Sequence, residues 1–448
     1  MPVYLTRDAD KDAIWEENQR LRRELEKARR ELEEYKKRHP ETVGVKHGKA
    51  YEIKLPPPEP EADSPGGKQP GGQPGHPGHH RPPPARIDHR VRVPTPQCPD
   101  CGGHRLSRIQ ETRRRTVEDI PITQPVNTEF FIDRRYCRDC KRLVEAPTPG
   151  VLPNARIGLR TMLWIAWVRL ALRVPEDVVP DLLLKTYGLR ISTGEVQNVL
   201  DQLATAYGPF YETLVADLRR RSAKHADEST WRTNGDNEYV WTFVTKWEAV
   251  FVIRQSRAHD VPLEILGDKA SGTITTDGHS AYHTLVDKTR LVRQRCWAHV
   301  LGDAKELAQF YGREGELILQ GLKAVYAHAA TYHGQGTPDD VALLTMALQA
   351  ILDHPYRSHH CATFARNHLA KSDELFRFVT DPAVEGTNNR AERAIRPFVI
   401  ARKISGGSRS PKSAQVRALL TSVLQTLALR GEDFLRGPGL QPRPASDD

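Results

Sequence analysis

Apolar positions recur alternately by fours and threes between residues 11 and 39, where Ile14, Asn18, Leu21, Leu25, Ala28, Leu32 and Tyr35 form a heptad seam. With Leu21 and Ala28 at d positions, Asn18 takes an a position, where a buried Asn fixes register and favours a parallel pair. The pattern predicts a dimeric coiled coil. Its alternative is a lone solvated helix, given 10 basic and 8 acidic residues in the segment. The periodicity then stops: eleven prolines and six glycines between Pro56 and Pro84 allow neither a helix nor a packed core, so residues 55–86 read as a linker. Helical spacing returns over about 156–220, including Thr161–Leu172 and Asp177–Tyr187, with Pro180 tolerable in a first turn. Gly188 to Leu200 reads as a turn, an N-cap at Ser192 or Thr193, and a second helix, as in the recognition half of a helix-turn-helix. Arg190 and Asn198 are its candidate DNA contacts; plain helical packing explains the same pattern.

After Arg221 the pattern changes to short strands. Lys224–Asp227, Tyr239–Thr245 and Ala249–Gln255 predict an antiparallel three-strand meander. Gly272–Asp277 reads as a buried strand ending in a carboxylate, and Leu291–Cys296 as a fifth strand leading into a helix from Trp297. Helices dominate from there on. Three strands followed by αβαβ, with acids ending the first and fourth strands, is the order of a ribonuclease-H-like domain.

The length of 448 residues suggests two to four domains. No stretch approaches the ~18 apolar residues of a membrane span; the longest, around Met162 to Leu172, is broken by Arg169. The N-terminus lacks an apolar signal core. A cytoplasmic chain with no membrane partner is expected. Its 66 Lys and Arg against 57 Asp and Glu give a net charge of +9, which makes a polyanion the first partner to consider.

Four of the six cysteines form two knuckles, Cys98-Pro-Asp-Cys101 and Cys137-Arg-Asp-Cys140, with 35 residues and β-rich sequence such as Asn127 to Tyr136 between them. Two knuckles supply the four thiolates of a closed tetrahedral zinc site, which has no open position for catalysis and is therefore structural. No thioredoxin-like context supports two redox pairs. Arg113, Arg114 and Arg115 suit either nucleic-acid contact or a solvated ribbon face.

Phosphoryl transfer on DNA by two Mg2+ ions needs carboxylates converging from separate elements. Asp227 and Asp277 meet that need at the ends of neighbouring strands, and Glu392 is the candidate third acid from a later helix. Between Gly386 and Arg417 stand eight Lys or Arg and one acid, Glu392, a surplus suited to phosphates. Arg393, Arg396 and Lys403 are the candidate backbone contacts.

The motifs Asp227-Glu-Ser-Thr-Trp231-Arg232, Asp277-Gly278-His-Ser-Ala-Tyr282, Cys296-Trp-Ala-His299 and Asn388-Asn389-Arg-Ala-Glu392-Arg393-Ala-Ile-Arg396-Pro397 resemble the insertion sequence 66 family of DDE transposases. The resemblance covers nearly the whole chain, including the coiled coil, the Gly-Gly-Gln-Pro-Gly-His linker and the four-cysteine element. It implies a ribonuclease-H-like core in which Asp227, Asp277 and Glu392 bind two Mg2+, with Mn2+ able to substitute. It also implies nicking at element ends followed by strand transfer, and Trp231, Cys296, His299, Asn388 and Asn389 in supporting places. Cys296 and His299 match a C-x-x-H pair that is two ligands short of a zinc site, so packing or DNA positioning is expected of them. Thr233 and His279 depart from the family pattern, and Glu385, seven residues before Glu392, could face the same way on a helix; the Asn-Asn-x-x-Glu-Arg match favours Glu392.

The expected fold is therefore multidomain α+β: coiled coil (11–39), linker (55–86), zinc-binding element (90–148), helix-turn-helix-like helical domain (156–220), and a ribonuclease-H-like core (221–300 and 379–435) split by an all-helical insertion (301–378), with a disordered tail (436–448). Expected partners are double-stranded DNA at element ends and target, a second copy of the chain or a higher oligomer, and companion proteins of the element, all at the nucleoid. A silent DNA-binding derivative and a nuclease without strand transfer are the rival expectations.

Overall fold

The computed structural model describes residues 84–117 and 123–440, which divide between residues 118 and 119 into two units. The expected coiled coil, nearly all of the linker and the last eight residues lie outside the described residues. In the first unit Cys98 opens a tight turn in which the Gly102 N–H donates to the Cys98 carbonyl and the Cys98 N–H to Gly103.

The second unit begins with a small antiparallel hairpin, β1 (Arg134–Cys137) and β2 (Arg142–Glu145), whose turn carries Cys140. The β structure expected from Asn127 starts only at Arg134. Three helices follow: α1 (Leu159–Leu170), α2 (Val179–Tyr187) and α3 (Thr193–Arg220). Gly188 ends α2 at φ 69°, a left-handed position suited to glycine, and Ser192 caps α3 by accepting the Glu195 N–H. A five-stranded sheet comes next, in the order β5-β4-β3-β6-β7. Its strands are β3 (Ala223–Thr233), β4 (Asp236–Val244), β5 (Ala249–Arg254), β6 (Ser271–Thr276) and β7 (Arg290–Arg295), with α4 (Asp260–Leu266) and α5 (Ser280–Lys288) between the later ones. The β3, β4 and β5 meander is antiparallel; β6 and β7 add in parallel.

One expectation is corrected here. Asp227 does not end the first strand. The chain continues for six more residues, because Asn234 and Gly235, at φ 53° and 89°, form the tight turn that closes a long hairpin with β4. Asp227 instead lies just beyond the last parallel pair, His225 with Thr275, where β6 stops and β3 goes on.

The all-helical segment holds α6 (Trp297–Phe310), α7 (Gly312–Ala330), α8 (Pro338–Leu352), α9 (His359–Leu369) and α10 (Arg377–Thr380), the first of them beginning at Trp297 as the sequence predicts. It has its own core, centred on Trp297, Ile318, Leu322, Leu348 and Val379. The chain then returns to the sheet with α11 (Asn389–Ser405) and α12 (Pro411–Leu429). α12 covers the open edge of β5: Ser422 Oγ accepts the Phe251 N–H and Thr426 Oγ1 the Ala249 N–H, both at 2.9 Å. Val416, Leu420, Val423 and Leu427 of α12 share a core with α1, α2 and the first half of α3. The helices at 156–220 are therefore not a separate domain. Leu440 packs against this core, so the tail does not begin at residue 436.

The start of β6 requires a bare backbone. Gly272 has φ 90°, and a Cβ there would overlap the Ser222 carbonyl. Gly272→Ala is expected to destabilise the protein by about 2–4 kcal/mol, combining a strained φ with overpacking; chemical denaturation with an unchanged slope checks this.

Candidate active site

The residues around Asp227 come from three elements. β3 and β6 run parallel, so Asp277, which immediately follows β6, stands beside Asp227 in register. Asp227 Oδ1 accepts the Glu228 N–H and Asp277 Oδ1 the His279 N–H, each at 2.9 Å. Arg293 of β7 holds the Asp277 carbonyl through Nη2 and Thr276 Oγ1 through Nε. The third acid, Glu392, lies in the first turn of α11. Asn388, fully buried, fixes that helix: its side chain donates to the Ala226 carbonyl at 2.8 Å, and its N–H donates to Cys296 Sγ at 3.0 Å. Trp231, buried on β3, packs edge-on to Phe398 of α11 at 5.5 Å. Asn389, exposed, begins the helix.

The electrostatics are those of a crowded acid cluster. Burial first, and then the carboxylates of Glu228, Asp277 and Glu392, raise the Asp227 carboxyl to about 7. Glu228 faces the other side of β3, where it accepts from Tyr282 OH at 2.8 Å and from Arg257. Glu228 was not singled out in the sequence; its signal is an acid adjacent to Asp227 in a buried strand.

Cys296 and His299 come closer to the acids than their spacing suggested. Among the described residues, Cys296, His299 and Glu392 are the group of three whose donor atoms all lie within 4.8 Å, with His299 Nδ1 3.7 Å from Glu392. The hydrogen bond with Cys296, helped by the Glu392 carboxylate, raises the His299 imidazole to about 9. Glu385 is not two helical turns back on the same face. It precedes α11, and Arg390 binds its carboxylate.

In each cysteine knuckle the first thiol is lowered from its ordinary value. The Cys98 thiol is lowered by the backbone N–H groups of Cys101 and Asp100, and the Cys137 thiol by Cys140 and then Asp139. A lowered thiol is the direction that favours a zinc ligand, which binds as thiolate.

Residues 160–416, more than half of the chain, match the family described as Transposase IS66 family. The chain belongs to that family. Residues 95–141 match a second description, the zinc-finger binding domain of transposase IS66. An uncharacterized protein of Sinorhizobium fredii, y4hP, is 23% identical over 388 residues, 77% of this chain and 69% of its own length.

The transposase's basic residues divide by environment. Arg393, Arg396 and Lys403 are exposed on α11 and make no ion pair among the described residues. Four of the eight counted in the sequence are otherwise engaged. Arg390 pairs with Glu385, Arg402 donates to Thr230 and Ser229, and Lys412 pairs with Asp201. Arg417, only 9% exposed, lies over Trp231, and burial pushes its guanidinium down to about 9. Arg190 and Asn198 are exposed at the start of α3, where Asn198 lines a cavity of about 420 Å3 with Arg156, Ser192 and Gln202. No described helix is long and apolar enough to cross a membrane.

The raised Asp227 carboxyl makes a signed prediction. The native state keeps a proton that the unfolded chain releases above its ordinary value of 3.8, so stability falls as pH rises from there through about 7. Asp227→Asn should raise the thermal midpoint of the protein without added Mg2+ at pH 8 and give no such gain near pH 4. Thermal unfolding at both pH values checks the difference.

Proposed function

We propose that this transposase cuts DNA at the ends of its element and joins the freed 3′-hydroxyls to target DNA, with Asp227, Asp277 and Glu392 as the catalytic carboxylates of a ribonuclease-H-like core. The observation that carries this is a partly buried cluster of acids from separate elements: burial first, and then the carboxylates of Glu228, Asp277 and Glu392, raise the Asp227 carboxyl. Such crowding suits cations, and the donors are all oxygens, as Mg2+ prefers. Asp227 and Asp277 each have one oxygen held by a backbone N–H, leaving the other for an ion. Two Mg2+ ions, or Mn2+ in their place, would be held by the three carboxylates and would activate water or the 3′-hydroxyl and stabilise the leaving oxygen. The chain itself fixes the carboxylates through Asn388, Trp231 and Arg293. His299 holds Glu392 from the outer side and Cys296 anchors the start of α6. Arg393, Arg396 and Lys403 would bind the DNA backbone, with Arg190 and Asn198 contacting the duplex at the head of α3. No covalent enzyme intermediate is expected, the freed 3′-hydroxyl attacking target DNA directly.

Cys98, Cys101, Cys137 and Cys140 are the proposed ligands of one structural zinc. A second copy of the chain on the DNA, companion proteins of the element, and residence at the nucleoid complete the reading.

Incubating the protein with Mg2+, a labelled element end and a target plasmid tests it. Joined product is expected; cleavage alone indicates a nuclease, and a mobility shift alone a silent DNA-binding protein. Asp227→Asn, Asp277→Asn and Glu392→Gln should each lower joining by roughly 10³-fold or more while end binding persists. Glu385→Gln should stay within about tenfold of the parent, and the reverse ranking of the two glutamates would refute the assignment.

The proposed phosphate contacts make a separate prediction. Each of Arg393→Ala, Arg396→Ala and Lys403→Ala should reduce the slope of log affinity against log salt by about 1. Arg417→Met, which replaces a buried charge with an apolar side chain, should leave the slope unchanged and stability equal or higher.

A further inference from the structure

Arg293 and Arg295 lie two residues apart on β7 and so share a face of the sheet. Their donors have different fates. Arg293 engages Thr276 through Nε, His283 through Nη1 at 2.9 Å, and the Asp277 carbonyl through Nη2. The Arg295 side chain, 11% exposed, has its Nε and Nη1 buried with no hydrogen-bond acceptor. Its nearest acid is Glu374, whose Oε2 stands 3.9 Å from Nε, beyond hydrogen-bond reach, and itself lacks a partner. The remaining nitrogen, Nη2, lies beside Gly278, 3.5 Å from where a Cβ on that residue would stand. Gly278 and Arg295 form one wall of a cavity of about 150 Å3 that is also lined by Asp277, His279, His299 and Asp303.

With Nε and Nη1 buried, Nη2 is the guanidinium nitrogen left for a group in this space, next to a proposed catalytic carboxylate. A guanidinium donates strongly to phosphate oxygens, and a buried charge without a full partner is costly unless a ligand completes it. We propose that Arg295 binds non-bridging oxygens of the scissile DNA phosphate and orients it against Asp277. This rests on the transposase reading above. The competing role is purely structural, with Arg295 tying the helical segment to β7 through Glu374.

Binding of the full-length protein to an element end in Ca2+, which allows complex formation without the Mg2+ reaction, separates the two. One duplex carries a neutral methylphosphonate at the scissile position and the other a normal phosphate. The parent should prefer the normal duplex by about tenfold or more. Arg295→Ala should bind the two equally, Arg295→Lys should keep part of the preference, and Glu374→Gln should keep all of it. Undiminished preference in Arg295→Ala overturns the proposal. So does a Glu374→Gln variant that loses the preference, since Arg295 then acts only through that contact. If Arg295→Ala does not fold, the lysine variant decides: full preference there overturns the proposal and reduced preference supports it. Failure of the parent to join DNA in Mg2+ would refute the transposase reading independently of this comparison.

Discussion

Like-charge repulsion is the constraint around which this molecule is arranged. Asp227 is buried beside Glu228 and within the field of Asp277 and Glu392, and its carboxyl is held near 7 as a result. A cluster of that kind tends to push its own scaffold apart, so the groups that carry it must be fixed from behind. Asn388 ties the head of α11 to Ala226 and to Cys296, Trp231 locks the same helix against β3, and Arg293 holds Asp277 by its carbonyl rather than its carboxylate. None of these contacts neutralises an acid. They set positions and leave the negative charge in place, which is what a site for cations needs and what a purely structural ion-pair network would avoid.

Fewer of the basic residues behind the net charge of +9 are free for a polyanion than the sequence count suggests. Counting residues between Gly386 and Arg417 gives a strongly basic strip, but a count does not register pairing or burial. Arg390 is bound to Glu385, Lys412 to Asp201, and Arg417 sits inside the protein over Trp231. The helical period could have separated some of these: Arg393, Arg396 and Lys403 fall on an exposed stripe of α11, while Ala391, Ala394, Ile395, Phe398 and Ala401 face inward. Partners distant in sequence, such as Asp201 for Lys412, carry no local signal and become visible only in three dimensions.

Most of the strand order was legible because alternation and turn residues are local properties. The long β3 hairpin was underestimated, although Asn234 and Gly235 are a strong type I′ turn signal, since the polar residues Glu228, Ser229 and Thr230 interrupt the apolar run. The candidate acids could be named from motifs, but the contacts around them could not. Cys296 and His299 are two ligands short of a zinc site in the sequence; a third donor near them, Glu392, is almost a hundred residues away in the chain. Arg295 was equally silent, because a charged residue in a strand reads as solvated until its nitrogens are found buried.

The helices at 156–220 show how the fold joins its parts. α3 has 28 residues, about 42 Å at 1.5 Å per residue. Its first half packs with α1, α2 and α12, while Leu214, Val215 and Leu218 near its end belong to the core under the sheet. α12 in turn supplies Ser422 and Thr426 to the open backbone of β5. The edge that would otherwise invite strand addition is thus closed by the same helix that anchors α1 to α3. Freeing the segment around Arg190 and Asn198 from the sheet would expose both an apolar helix face and an unpaired strand edge. The two costs act together, so the head of α3 and the carboxylates on β3 and just after β6 are held as parts of one body rather than as domains on a hinge.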